Sequence, residues 1–256
     1  SREVIFIDVD DLSDRNIVLA HELEKLIHYE FDPFEYIWIN EGAAGMSEYL
    51  SYGENSELVT DVNSWTSNTS TSLRWWDGRS SDRGSSFLFV NYLSEKLGGA
   101  SSVRQLISSP ALGGIGIENL ARNPGQGSTP IGSTMSELFA NFSAAVTLDS
   151  PQGAFGFSEI NLQEDCTSGG FCKALPTDSN DQWSTEVWQS PGHTIEGWGL
   201  KSFRFSDGNG DPLSILVQPD RFGFEGAILS KDSSTGAWNM DRLRVDSEDG
   251  RGTALV

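Results

Sequence analysis

The sequence predicts an α+β protein in two parts: a mainly helical domain over residues 1–155 and a small β-sandwich over 156–256. Three observations carry this. Up to about residue 150, apolar residues recur at helical spacing behind recognisable caps. Beyond Pro151 they gather in short β-branched and aromatic runs between Gly, Asp, Ser and Pro turns, as in a small sandwich. A chain of 256 residues also suffices for a full core and for one or two domains.

In chain order, Val4 to Val9 is β-branched and apolar and reads as a strand running into the acids Asp10, Asp11 and Asp14. Ser13 or Asp14 caps a helix from about Arg15 to Tyr29. Its Ile17, Val18, Leu19, Leu23, Leu26 and Ile27 cover much of the circumference, which predicts a buried helix. His21, Lys25 and His28 form a polar stripe along it. Asp32-Pro33 ends the pattern, and a second helix is expected from about Glu35 to Tyr52. Ser, Thr and Asn dominate residues 53–85, so that stretch reads as a long surface loop anchored by Trp65, Trp75 and Trp76.

Phe87, Val90, Leu93 and Leu97 then keep helical spacing until Gly98-Gly99. Ser101 or Ser102 is placed to cap a short helix carrying Val103, Leu106 and Ile107, and another is expected over Gly116 to Arg122. Thr134 and Glu137 form a capping box ahead of Leu138, Phe139, Phe142 and Val146. Strand candidates follow at 186–189, 200–205, 213–218, 227–231, 243–246 and 253–256. Asp207, Asn209 and Asp211 imitate the first half of a calcium loop, but no bidentate Glu follows at the required distance, so calcium is the weaker reading and a turn the stronger. His193, beside Pro191 and Gly192, is a lone loop histidine with no ligand partner in sequence.

Lys and Arg number 17 against 37 Asp and Glu, a formal charge of −20. Phosphate backbones and anionic membrane surfaces repel such a chain, which argues against nucleic acid as a partner. No apolar run approaches the roughly 18 residues of a membrane span. The opening SREVIFIDVDD lacks the basic and apolar regions of an export signal, so any such signal is expected to have been removed already. Cys166 and Cys172 enclose a short loop, a spacing that suits a local disulfide better than a metal site and points to an oxidising, extracytoplasmic compartment.

The chemistry concentrates in His21 to Tyr49. His21-Glu22-Leu23-Glu24-Lys25 matches the helical H-E-x-x-H motif, in which two histidines one turn apart chelate zinc and the glutamate acts as general base, except that Lys25 stands at the second ligand position. Trp38-Ile39-Asn40-Glu41-Gly42 follows with Glu41 twenty positions after His21. Together, LAHELEKLIHYEFDP and WINEGAAGMSEYL resemble the gluzincin-type zinc metallopeptidases of the MA clan, including hyicolysin-like and peptidase-MA-like proteins. The resemblance covers roughly residues 4 to 160. It implies a zincin-like domain, zinc as cofactor, His21 and Glu41 as metal ligands, Glu22 as general base and a polypeptide substrate or protein partner.

Lys25 puts activity at odds with that ancestry, because a zinc ligand must be neutral or anionic and an ammonium is neither. His28 cannot replace the missing ligand: it lies two turns from His21, about 10.5 Å along the axis. The sequence therefore predicts a secreted or cell-surface metallopeptidase-like protein with a degenerate zinc site, impaired or non-catalytic, that binds a partner or serves structurally. The alternative is an active extracellular zinc endopeptidase with Lys25 coordinating as a neutral amine. Lys25 is further expected to replace the metal's charge by bridging Glu41 and Glu22. Only one strand candidate precedes the motif helix, and a lone strand is a poor cover for so apolar a helix. An additional N-terminal segment, cleaved or separately associated, is expected as a partner of the domain.

Overall fold

A computed structural model of the chain describes residues 5, 15–151, 153–180, 190, 192–206, 213–219, 223–246 and 251–255. The Val4 to Val9 strand, the Ser13 or Asp14 cap, the 186–189 strand and the Asp207, Asn209 and Asp211 loop lie outside the described residues. Two compact units emerge: one runs to Leu175 and takes in His193–Lys201, and the other comprises Pro176–Gly192 and Ser202–Val256. The mixed helix and strand content is that of an α+β protein.

The first unit contains α1 (Arg15–Phe31), α2 (Ile37–Tyr52), α3 (Ser56–Thr66), α4 (Ser80–Leu97), α5 (Ala100–Ile107), α6 (Gly113–Arg122) and α7 (Met135–Leu148). Its centre is α4, buried on nearly every side because Phe87, Leu88, Phe89, Val90 and Leu93 are interleaved with small residues such as Ser81, Ser85 and Ser86. A helix apolar all round is a core helix, and here α2, α3 and α5 pack onto it. The approach of α3 is so close that a Cβ on Gly84 would lie 2.1 Å from the Asp61 carbonyl oxygen. Aromatic rings fill the rest: Trp65 stacks on Phe142 at 5.6 Å between centroids, and Phe89 meets Phe142 edge-on at 5.1 Å. The capping box at α7 forms as predicted, with Thr134 accepting from the Glu137 backbone N–H and Glu137 accepting from Thr134 N.

Residues 53–85 are not one long loop. Asn55 accepts hydrogen bonds from the backbone N–H groups of Glu57 and Leu58 and so starts α3, whose Leu58, Val62 and Trp65 turn inward at i, i+4 and i+7. The abundance of Ser, Thr and Asn masks that stripe in the sequence. Asp82 likewise starts α4, well ahead of its first large apolar side chain, Phe87, by accepting from the Arg79 and Asp77 N–H groups. At α5 the cap position belongs to Gly99, so Ser101 and Ser102 lie inside the helix.

A larger departure concerns α1, which is not buried. Its inward residues are Glu24 and His28, whereas Val18, Leu19, Leu23 and Ile27 are exposed. Helical periodicity fixes which residues share a face but not which face the rest of the molecule covers.

The change of periodicity after Pro151 suggests a boundary at 155–156, whereas the compact division falls after Leu175. Phe157, Ile160, Leu162, Phe171 and Ala174 pack into the helical unit's core, which keeps this segment with it. Cys166 and Cys172 are bonded within the same segment, and the Cys172 N–H donates to Asn63 Oδ1 at 2.8 Å, tying the loop to α3.

The second unit is built of short strands. β1 (Asp178–Asn180) pairs in parallel with β2 (Phe203–Phe205). β3 (Ser214–Val217) and β6 (Arg244–Val245) flank β7 (Gly252–Leu255) antiparallel, and β4 (Ala227–Lys231) forms a hairpin with β5 (Trp238–Arg242). The hairpin is closed by Asp232, whose Oδ1 accepts from the Ser234 and Thr235 backbone N–H groups. The candidates at 200–205, 213–218, 227–231, 243–246 and 253–256 coincide with β2, β3, β4, β6 and β7. β1 and β5 went unanticipated: the DSN of β1 holds no apolar or β-branched residue, and the WNMDR of β5 shows only a broken alternation.

Candidate functional site: a carboxylate-bracketed histidine

The site follows from how α1 and α2 fold back on each other. The link between them is short, and the Asp32 N–H still donates to the His28 carbonyl before the chain turns at Pro33. Ser47 Oγ then donates to the Ala20 carbonyl at 3.2 Å, so the His21 turn of α1 faces the middle of α2. Small residues on α2 permit this: Gly42, Ala43, Ala44 and Gly45 let α2 settle between α1 and α4.

Glu41 and Glu48 are two turns apart on α2, about 10.5 Å along its axis and nearly in line. The His21 imidazole lies between them. Its Nε2 is 3.3 Å from Glu41 Oε2, and its Nδ1 is 2.6 Å from Glu48 Oε1. Carboxylates on both sides require both ring nitrogens to donate, which is the imidazolium form. Burial by itself would lower the His21 pKa, but the hydrogen bonds and charges of Glu41 and Glu48 override it and raise it to about 9. The remaining Glu48 oxygen, Oε2, accepts from Asn55 Nδ2 at 3.4 Å, so the cap of α3 also holds the site.

Lys25 stands one turn beyond His21 on the same face. Its Nζ is 2.9 Å from Glu41 Oε1 and 3.8 Å from Glu22 Oε1. Burial would lower the Lys25 pKa, yet Glu41, with Glu22 and Glu24 beyond it, raises it. Burial would raise Glu41, but His21 and Lys25 bring it down to about 2. At neutral pH the centre is an alternating chain of charges, Lys25, Glu41, His21 and Glu48.

Beyond His21 the wall continues through Leu58, Phe87 and the charged pair Arg83 and Asp61, around a cavity of only about 20 Å³. Arg83 Nε donates to Asp61 Oδ2 at 2.8 Å, which leaves Glu57 at the rim raised by burial and by the nearby Glu48 and Asp61 charges.

The arrangement does not fit a zinc ion. Zinc requires a deprotonated imidazole nitrogen and ligands converging at about 2.0 to 2.2 Å. Here both His21 nitrogens face carboxylates on opposite sides of the ring, and the oxygen Glu41 would offer is taken by an ammonium. His28 does not approach the site; it is wholly buried, with Nδ1 3.4 Å from Glu24 Oε1. Glu22, the candidate base, is the most exposed member of the group and faces Lys25. His193 is exposed in the loop ahead of Lys201.

Sequence reading brought His21, Glu22, Lys25 and Glu41 together and missed Glu48. The signal was present in the seven-residue interval from Glu41, which repeats a helix face every two turns. No protein-family model matches the chain, and no curated protein matches it at a significant level.

Proposed function

We propose that this chain is a non-catalytic relative of the gluzincin metallopeptidases, a secreted or cell-surface module that engages polypeptide through a peptidase-like scaffold without a working zinc centre. The reading rests on the HELEK and NEG phrases, and on a first unit whose motif helix is followed by a second helix carrying Glu41. The short strands of the second unit suit an accessory β-sandwich of the kind that follows secreted peptidases. The Cys166–Cys172 bond supports an extracytoplasmic setting.

One observation carries the non-catalytic part: Lys25 Nζ is 2.9 Å from Glu41 Oε1, so a permanent cation balances the carboxylate that a metal would otherwise neutralise. A peptidase of this type needs a Lewis acid to acidify the attacking water and polarise the scissile carbonyl. An ammonium hydrogen-bonded to Glu41 supplies charge but no open coordination position.

Calorimetry with zinc, run on the wild type and on Lys25→His, tests this together with chelator-controlled casein cleavage. The wild type is expected to bind zinc weakly and leave casein intact. Lys25→His should bind at least about tenfold more tightly, because a second imidazole completes the ligand set. Tight zinc binding by the wild type with chelator-sensitive cleavage would establish the enzyme instead.

A further inference from the structure

The outward face of α1 carries Leu19, Leu23, Ile27 and Phe31 in one stripe, each a turn beyond the last. Leu23 is 48% exposed and Ile27 46%. Tyr52 at the end of α2 and Ile107 at the end of α5 complete a groove of about 700 Å³, within the size range of sites for small organic ligands.

Glu24 lines this apolar groove, only 7% exposed, and neither of its carboxylate oxygens has a hydrogen-bond partner among the described residues. The group facing it on its own helix is His28 at 3.4 Å, which is also without a hydrogen bond. Further along, Asp32 Oδ2 and Glu35 Oε2 are buried and unbonded too, and Glu35 lies within range of the Asp32 and His28 charges. The other oxygens of these two are held by backbone N–H groups, Asp32 Oδ1 by Phe34 and Glu35 Oε1 by Tyr36 and Gly113, so Glu24 is the carboxylate of the three with neither oxygen hydrogen-bonded. Among the described residues no Lys or Arg forms an ion pair with any of the three. Lys25 turns instead to Glu41, and Arg104 on α5 lines the groove without coming within ion-pair distance of Glu24. An uncompensated buried carboxylate is costly, and its cost is relieved by a cation that also donates hydrogen bonds.

We infer that the groove between α1, α2 and α5 binds an amphiphilic organic cation, its apolar chain along Leu19, Leu23, Ile27 and Phe31 and its ammonium on Glu24. A metal ion meets the charge but not the apolar wall, and among the described residues no three His, Cys, Asp or Glu side chains are placed to hold one. A second copy of the chain meets the apolar wall but brings another −20 of charge. The site lies apart from the His21 and Glu41 centre and does not depend on the reading given to that centre.

The test is calorimetry of the whole chain with hexylammonium, octylammonium, 1-octanol and octanoate, each below its self-association concentration. Octylammonium is expected to saturate one site. It should bind about fifteenfold more tightly than hexylammonium, at about fourfold per buried methylene. It should also bind at least about tenfold more tightly than 1-octanol, with octanoate weaker still. Glu24→Gln, which changes the net charge by one and keeps the side chain's shape, should erase the preference for the ammonium over 1-octanol while keeping the chain-length dependence. Leu23→Asn, at an exposed position that does not endanger folding, should flatten the chain-length dependence and keep the ammonium preference. Equal binding of octanoate, absence of a saturable site, or an ammonium preference unchanged in Glu24→Gln would overturn the inference.

Discussion

His21 and Glu48 are joined by the shortest contact of the centre, Nδ1 to Oε1 at 2.6 Å, and with Glu41 3.3 Å from Nε2 on the other side of the ring the two carboxylates together make the histidine a cation. A metal-ligand histidine needs a hydrogen-bond acceptor on one nitrogen and the metal on the other. Glu48 meets the first condition. Glu41 and Lys25 together change the second, because Glu41 accepts from the ring and from the ammonium at once.

Lys25→Ala should destabilise the fold by about 2 kcal/mol. Glu41 would lose one of its two cationic partners in a mostly buried place, although the partial exposure of Lys25 keeps the cost below that of a fully buried pair. Adding Glu41→Gln should recover part of the loss. A denaturant titration placing Lys25→Ala within about half a kcal/mol of wild type would mean that the pair contributes no more than an ordinary surface contact.

Stability should also depend on pH through His21. Its folded pKa, about 9, is above the ordinary 6.5, so its contribution is complete below pH 6.5 and is lost as pH rises through 9. Glu41 has the opposite sign: lowered to about 2 from 4.5, it contributes fully above pH 4.5 and loses that contribution as pH falls through 2. The two describe one coupled group and are not summed. The urea midpoint should therefore be highest between about pH 5 and 6.5 and fall towards pH 9.5. In His21→Gln the alkaline decline should become shallower; an unchanged decline would place its origin elsewhere.

Gly84→Ala should cost about 3 kcal/mol or more. The added Cβ meets backbone, the Asp61 carbonyl oxygen at 2.1 Å, so neither α3 nor α4 can yield by rotating a side chain. Thermal unfolding reads this directly. A melting temperature within about 3 °C of wild type would show that the two helices separate more readily than their packing implies.

Asn55→Ala should cost about 1 kcal/mol by removing the cap shared by the Glu57 and Leu58 N–H groups. Because Asn55 Nδ2 also donates to Glu48, the substitution should shift the His21 imidazole resonances in a proton NMR titration. Asn55→Asp should restore the cap but not that donor. Equal stability of wild type and Asn55→Ala would remove the cap from the account of α3.

By itself, the sequence determined where most helices run, because caps and periodic apolar residues are local: Thr134 with Glu137, Gly98 after Leu97, Pro33 after Asp32. One-turn spacing also put His21 and Lys25 on one face of α1, and the resemblance of the HELEK and NEG phrases to a gluzincin site brought Glu41 beside them. Local signals failed where polar residues did helical work, as Asn55 and Asp82 do in starting α3 and α4. Tertiary structure alone decided the orientation of α1. Val18, Leu19, Leu23 and Ile27 read as part of a buried helix, but α2 presents Glu41 and Glu48, and pairing His21 and Lys25 with those carboxylates turns the polar stripe inward and leaves these four exposed. Pairing across two helices depends on which atoms meet, and a linear sequence states only which residues are near in the chain.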